Sequence, residues 1–220
     1  MSTGVTSSRL DQGARPDESP LSNAGQWAGA LSVSDLALNL VGGAITGNSG
    51  SGSSAYWATP VAAGMEVWCR IVTKWSTDNT GVGLWTDLQV PGTSSVAGYL
   101  AAFYSLSGVD QLDLYRIDAT GGTLMPTTPL AGIAVNDRIL LRHIGSLIEV
   151  IQIANATGVV TLLASASEST YAGGYFGLNV DDNVISVGDV GGGYAGSVCR
   201  EVSNLATRPR PFAPGAQRPR

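Results

Sequence analysis

The chain has 220 residues, of which 13% are charged and 44% hydrophobic, and its formal net charge is −5. This length suits one domain with terminal extensions, and no stretch reaches the roughly 20 apolar residues of a membrane-spanning helix. The excess of acidic residues argues against a general nucleic-acid-binding surface.

Residues 1–26 are polar and are predicted to form a loop-like N-terminal arm or lead. Between residues 27 and 200, short apolar runs alternate with turn-forming clusters at intervals of roughly 8–15 residues. This rhythm is typical of an antiparallel β-sandwich or barrel. We therefore predict an all-β domain over 27–200, with about a dozen strands and no amphipathic helix.

The predicted strands begin with a pair over 31–40, followed by a strand over 66–74 in which Val67, Cys69 and Ile71 share one face. In residues 111–118, apolar side chains occur at both even and odd positions, which lie on opposite faces of a strand. This pattern predicts either a β-bulge or burial of both faces of the strand.

The clearest local unit is a hairpin, with strands predicted over 139–144 and 147–153 and a turn at Gly145-Ser146. The glycine-rich stretch 188–193 has no strand-to-helix context, so we interpret it as a turn or a site of close packing.

Residues 201–220 are predicted to form a basic, proline-rich C-terminal arm, because proline removes backbone donors and prevents helix formation. Its last 13 residues contain four arginines and no acidic residue, which leaves −9 for residues 1–207. Such an arm would either contact a neighbouring subunit or be a disordered solubility tail. The predicted partner-binding residues are Arg208, Arg210, Phe212, Arg218 and Arg220.

The first residues lack the apolar core of a secretory signal, so we expect folding in a reducing cytoplasm. Cys69 and Cys199 are then expected to be free thiols, with a bridge between them as the alternative.

No catalytic pattern is evident in the sequence, and we predict a protein that is not an enzyme. A glycanase needs paired carboxylates, whereas Glu66, Asp113 and Glu149 stand alone on their strands and are interpreted as solvent-facing charges. His143 lies within an apolar strand, so a packed or edge-exposed structural role is expected. Asp181, Asp182 and Asn183 are weak candidates for a Ca²⁺ site, with a polar turn as the simpler interpretation; no other cofactor is expected.

All five tryptophans precede residue 86, and four aromatic residues lie near two polar loops. Exposed aromatic rings near amides and carboxylates would suit a sugar, whereas buried rings would fill the sandwich. The candidate glycan-binding residues are Tyr56, Trp57, Trp75 and Trp85.

Several segments resemble the concanavalin A-like, or laminin-G-like, jelly-roll domains of tailed-phage virion proteins. The resemblance covers about residues 15–195 and the tail, although Gly13 and Ala14 stand where an aromatic residue usually precedes the first arginine. It rests on the segments 15–21, 25–27, 141–150, 171–178, 188–194 and 210–215.

This resemblance implies a jelly-roll sandwich with extended arms in a non-enzymatic virion structural protein, either a minor tail protein or a capsid decoration protein. Its partners would be other virion proteins and further copies of itself, and its location the virion. Domains of this class sometimes bind calcium. The alternative is an adhesin that binds host surface glycans, and a glycan hydrolase is a third hypothesis, because one fold hosts all three functions.

Overall fold

Strands form the regular secondary structure of the computed structural model, which describes residues 7, 9–32, 34–48, 52–125, 130 and 132–195. In chain order they are β1 (Arg9–Asp11), β2 (Trp27–Ala28), β3 (Leu36–Ala37), β4 (Asn39–Val41), β5 (Ala44–Thr46), β6 (Ser53–Trp57), β7 (Met65–Thr73), β8 (Gly81–Gln89), β9 (Ala97–Leu106), β10 (Val109–Asp118), β11 (Gly121–Met125), β12 (Arg138–Ile144), β13 (Leu147–Ile153), β14 (Val160–Ser167), β15 (Tyr175–Val180) and β16 (Ser186–Tyr194).

The strands form two eight-stranded sheets that pack face to face as a sandwich. Sheet I has the spatial order β14-β13-β12-β7-β16-β5-β4, with β1 paired to β16. Sheet II has the order β11-β10-β9-β8-β15-β6-β2, with β3 paired to β6. The β3–β6 pair is parallel, and the long central strands pair antiparallel. The predicted all-β antiparallel sandwich is confirmed.

The core lies between the sheets and is filled by alternate residues of the central strands. Val67, Cys69 and Ile71 of β7 are fully buried in it, on one face as predicted, and belong to the same hydrophobic cluster as Leu84 and Phe103 of sheet II. Because successive side chains of a strand point to opposite faces, the residues between these positions are left on the outer faces of the sheets. Cys69 is a free thiol, and its burial raises the pKa of the thiol. Cys199, the other predicted free thiol, lies outside the described residues.

The predicted hairpin is present as β12 and β13, joined at Gly145-Ser146. β10 pairs with β9 without a register shift from Val109 to Ile117. Leu112 is buried on the inner face of β10, and the outward-facing side chains are half-buried. The predicted bulge is therefore wrong, and the alternative, burial of both faces, holds in part, because the outer face is only half-buried.

Two other local predictions have different outcomes. The strand pair expected over 31–40 does not form, because β3 joins sheet II and β4 joins sheet I. The glycine-rich stretch 188–193 is a site of close packing within β16. A Cβ on Gly191 would lie 2.2 Å from the Trp68 ring, so only glycine lets this strand pass beneath the indole.

The expectation that both ends of the chain reach outward is not met over residues 9–26. β1 pairs with β16, and Leu21 is buried in the core. Arg15 forms ion pairs with Asp11 and Glu18 inside this segment. The backbone amides of Glu18 and Leu21 donate to the carbonyls of Leu40 at 3.0 Å and Leu38 at 2.7 Å, which fixes the segment against the sandwich. The predicted C-terminal arm, residues 201–220, lies outside the described residues. The part of the chain that is described contains no helix able to cross a membrane.

Candidate functional site

A row of small and polar residues crosses the outer face of sheet II, perpendicular to the strands. Asp113 of β10 pairs with Ala102 of β9, which pairs with Gly83 of β8, and Gly83 pairs with Asn179 of β15. The inner-face neighbours of these residues fill the core, so the row itself faces outward. The sequence therefore places two polar side chains at the ends of a floor made of glycine and alanine.

Asp113 is held by two tyrosine hydroxyls. Tyr104 donates to Oδ2 of Asp113 at 2.9 Å, and Tyr115 donates to the same oxygen at 2.8 Å. Burial, reinforced by the bond to Asp113, raises the pKa of Tyr115 to about 12 and also raises the pKa of Tyr104. Both hydroxyls thus remain protonated donors at neutral pH. The other carboxylate oxygen, Oδ1, accepts no hydrogen bond from any described residue.

The far end of the row is formed by Asn179 and Asp181. The amide of Asn179 donates to Oδ1 of Asp181 at 3.0 Å. A Cβ on Gly83 would lie 1.8 Å from Oδ1 of Asn179, so the amide rests directly above this glycine. Burial, together with the negative charges of Asp35 and Asp182, raises the pKa of Asp181 above its ordinary value.

These residues line a groove with a volume of about 270 Å³ on the outer face of sheet II. This volume is close to the lower end of the range for small-molecule sites. We call it the sheet II groove; its lining residues are Asn79, Val82, Gly83, Leu100, Ala102, Phe103, Tyr104, Asp113, Tyr115, Asn179 and Asp181. The arrangement offers oxygen acceptors beside aromatic rings, which suits a ligand rich in hydroxyl groups.

Two of the four predicted glycan-binding residues lie on the face that carries the groove. Gly177 of β15 pairs with Tyr56 of β6 on one side and with Trp85 of β8 on the other. These three residues form the outward-facing row next to the one that ends at Asn179. Leu31 packs onto Gly177, where a Cβ would lie 2.7 Å from the leucine side chain. Tyr56 and Trp85 are half-buried there, and neither lines the groove.

The other two predicted residues belong to the packing of the sandwich. Trp57 contacts Trp27 edge-on at a ring-centroid distance of 5.4 Å and stacks on Phe176 at 6.0 Å. Trp75 is only 3% exposed, and its indole N–H donates to Asp110 at 3.2 Å. Of the two alternatives for Trp75, a ring that fills the sandwich is therefore the one found.

The candidate calcium ligands lie in the connection between β15 and β16. Asp181 is engaged by Asn179, and the backbone carbonyl of Asp182 accepts a hydrogen bond from the amide of Ile185 at 3.3 Å. Within the described ranges, no three histidine, cysteine, aspartate or glutamate side chains are grouped so that they could hold a metal ion. Calcium binding by Asp181, Asp182 and Asn183 stays a prediction, and the turn interpretation accounts for their contacts.

The remaining strand carboxylates are not the solvent-facing charges that the sequence suggested. Glu66 is fully buried on the outer face of sheet I and accepts a hydrogen bond from the amide of Ser7. Glu149 pairs with the guanidinium of Arg142 at 2.6 Å. Of these three carboxylates, Asp113 lines the sheet II groove, together with Tyr104 and Tyr115, which donate to it.

Sequence reasoning missed Tyr104, Asp113, Tyr115 and Asn179 as a group. Part of the signal was present, because Asp113 and Tyr115 share one face of β10 by alternation. Tyr104 and Asn179 join them only through the strand order β10-β9-β8-β15, which brings distant segments together.

No protein-family model matches the sequence, and no curated protein matches it significantly. Solved structures with the same fold do match, at low identity. The carbohydrate-binding module CBM66 from Bacillus subtilis is 16% identical, with a TM-score of 0.52, over 79% of this chain and 96% of the module. The metal-free exoplasmic/lumenal domain of VIP36 is 10% identical, with a TM-score of 0.56, over 83% of this chain and 87% of that domain.

Winged bean acidic lectin, solved with methyl-α-D-galactose, is 10% identical, with a TM-score of 0.51, over 78% of this chain and 92% of the lectin. The VIP36 domain has also been solved with Ca²⁺ and Man3GlcNAc. At these identities the matches establish the fold of the present chain, which is a lectin-like jelly roll of the concanavalin A and legume-lectin type.

Proposed function

We propose that this protein binds carbohydrate in the sheet II groove. The observation that carries the proposal is Asp113, whose Oδ2 is fixed by the hydroxyls of Tyr104 and Tyr115 while Oδ1 stays open as an acceptor. A carboxylate held in one orientation can accept hydrogen bonds from sugar hydroxyls with little loss of side-chain entropy. The sugar-binding proteins that share the fold support the same proposal.

The groove supports binding rather than hydrolysis. Glycoside hydrolases use two carboxyl groups about 5–9.5 Å apart. Asp113 and Asn179 are separated by three strand spacings, which is about 14 Å between their backbones, and Asp181 lies two residues beyond Asn179, just after the end of β15. Aspartate side chains stand roughly perpendicular to a sheet and do not close such a gap. We propose that the protein has no glycosidase activity.

A glycan array probed with the full chain tests the proposal. We expect binding to one or more glycans that is lost in Asp113→Ala. Asp118→Ala is the matched control, because it removes the same side chain from the same strand at a position outside the groove. An array on which the wild-type protein binds nothing, or binds equally well after Asp113→Ala, contradicts the proposal.

The virion role that the sequence suggested stays a prediction. Its anchoring residues, Arg208, Arg210, Phe212, Arg218 and Arg220, lie outside the described residues, and its partners, oligomeric state and location are untested. A structural protein of a virus particle could also bind host glycans, so the two roles are compatible. Light scattering of the full chain and of a chain lacking 208–220 distinguishes an arm that drives self-assembly from one that does not.

A further inference from the structure

We infer that the sheet II groove selects sugar chains of at least two residues that carry no acidic group. The inference rests on the proposed carbohydrate function and specifies its ligand class by the charge and length of the groove. Two of its lining residues are carboxylates, Asp113 and Asp181. No lysine, arginine or histidine is among the described residues that line it.

The negative charge extends beyond the lining. Asp35 and Asp182 lie close enough to Asp181 for their charges to act on its carboxyl. Two cations of the sandwich, neither of which lines the groove, are engaged elsewhere: Lys74 binds Asp110 at 2.7 Å, and Arg116 binds Glu168 at 2.9 Å. A uronic or sialic acid in the groove would therefore bring a carboxylate toward two or more uncompensated negative charges, and such like-charge contacts oppose binding strongly.

The hydrogen-bonding groups of the groove point to the same ligand class. Asp113 presents the open oxygen Oδ1, and the Oδ1 atoms of Asn179 and Asp181 lie at the other end. These groups are acceptors, so they suit hydroxyl or ammonium donors. A neutral sugar supplies hydroxyl donors along its whole length, and an amino sugar adds a cationic donor.

The spacing of the acceptors sets the length of the ligand. The backbones of Asp113 and Asn179 stand about 14 Å apart across four adjacent strands. Because Oδ1 of Asn179 lies above Gly83, the acceptors at the two ends are separated by two strand spacings, or roughly 10 Å, which is still longer than a single pyranose ring. The floor between them, Gly83 and Ala102, has no side chain large enough to divide the groove. A chain of two or more sugar residues laid across the strands contacts both ends at once.

The test is a binding titration of the full chain against matched pairs of oligosaccharides. Each pair contains a neutral hexose oligomer and the corresponding hexuronic acid oligomer, and each series runs from one to four residues. We expect neutral oligomers of two or more residues to bind at least about tenfold more tightly than their acidic counterparts and than the monosaccharide.

A charge-removing variant separates electrostatic selection from steric fit. In the double variant Asp113→Asn, Asp181→Asn the amides keep the shape of the groove, so the preference for neutral over acidic oligomers is expected to fall to within about threefold. The Asp118→Asn control is expected to keep the full preference. Salt is expected to reduce the preference in the wild-type protein, because it screens repulsion between exposed charges.

The titration distinguishes a failure of the proposed carbohydrate binding from a failure of the inference about the ligand class. If no member of the panel binds, carbohydrate binding itself is wrong and the inference falls with it. If acidic oligomers bind as tightly as neutral ones, or if monosaccharides bind as tightly as longer chains, the groove binds sugar but the inference about its ligand class is overturned.

Discussion

Nδ1 of His143 lies 2.9 Å from Oδ2 of Asp87, in a contact that joins sheet I to sheet II. Nε2 of the same ring lies 3.1 Å from the backbone oxygen of Glu168. Both neighbours are acceptors, so this geometry favours the protonated ring, in which both nitrogens donate. The ring also contacts Tyr99 edge-on at 5.0 Å, which encloses the pair in the core.

This pair predicts a pH-dependent stability. Burial alone would lower the pKa of His143, but the hydrogen bond and charge of Asp87 and the carbonyls of Glu168 and Gly145 raise it above 6.5. A raised folded-state pKa adds stability that is complete below the ordinary value and is lost as pH rises through the folded value. We expect the free energy of unfolding to fall as the pH rises above 6.5, measured by urea denaturation.

The variant His143→Gln provides the control for that slope, because His143 is the only histidine of the chain. Breaking a buried ion pair costs about 3–5 kcal/mol, so the variant is expected to be less stable at pH 6 by about this amount. Its stability is expected to change little between pH 6 and 9. A variant with the same pH slope as the wild type would show that another group is responsible.

Gly191 is expected to tolerate no side chain. Since an added Cβ would meet the buried Trp68 ring at 2.2 Å, Gly191→Ala forces the indole or the strand to move. Overpacking of this kind costs about 1–3 kcal/mol. Gly29→Ala is the control, because a Cβ there meets nothing within 4 Å. Equal denaturation midpoints for the two variants would contradict the packing of β16 described above.

The Gly83→Ala variant tests the floor of the sheet II groove. The added methyl would lie 1.8 Å from Oδ1 of Asn179, the end of a side chain that can rotate away. We therefore expect a nearly unchanged denaturation midpoint but a loss of glycan binding, because the displaced amide and the methyl occupy the groove. Full retention of affinity in a folded Gly83→Ala protein would place the ligand elsewhere.

Glu18 is expected to contribute to stability against acid. The bond to Arg15, with those from the amides of Asn23 and Ser22, lowers the pKa of Glu18 to about 2. A depressed pKa gives stability that is present above the ordinary value of 4.5 and is lost as pH falls toward 2. Glu18→Gln should be less stable at neutral pH and should lose less stability between pH 5 and 2. Parallel unfolding curves over that range would show that the segment 9–26 is held by other contacts.

Much of the fold could be predicted from local sequence patterns, whereas the groove could not. Alternation identified the buried face of β7, and Gly145-Ser146 identified the β12–β13 hairpin, because both signals depend on neighbouring residues. Trp75 shows the limit of such reasoning: its neighbours in the sequence left exposure and burial both open, and its N–H is satisfied by Asp110, 35 positions away. Asp113 and Asn179 lie in one row only because the strands have the order β10-β9-β8-β15. Alternation within a strand predicts which face a residue lies on, but it does not predict the order of the strands.

The titration that tests carbohydrate binding most directly compares the wild-type protein with Asp113→Ala. The ligand is the tightest-binding glycan found on the array, measured by calorimetry at pH 7. Removing a charged hydrogen-bond acceptor costs about 1.5–3 kcal/mol, so we predict a loss of affinity of roughly tenfold to a hundredfold. Affinities that agree within twofold, with both proteins folded, would contradict the assignment of the sheet II groove as the binding site.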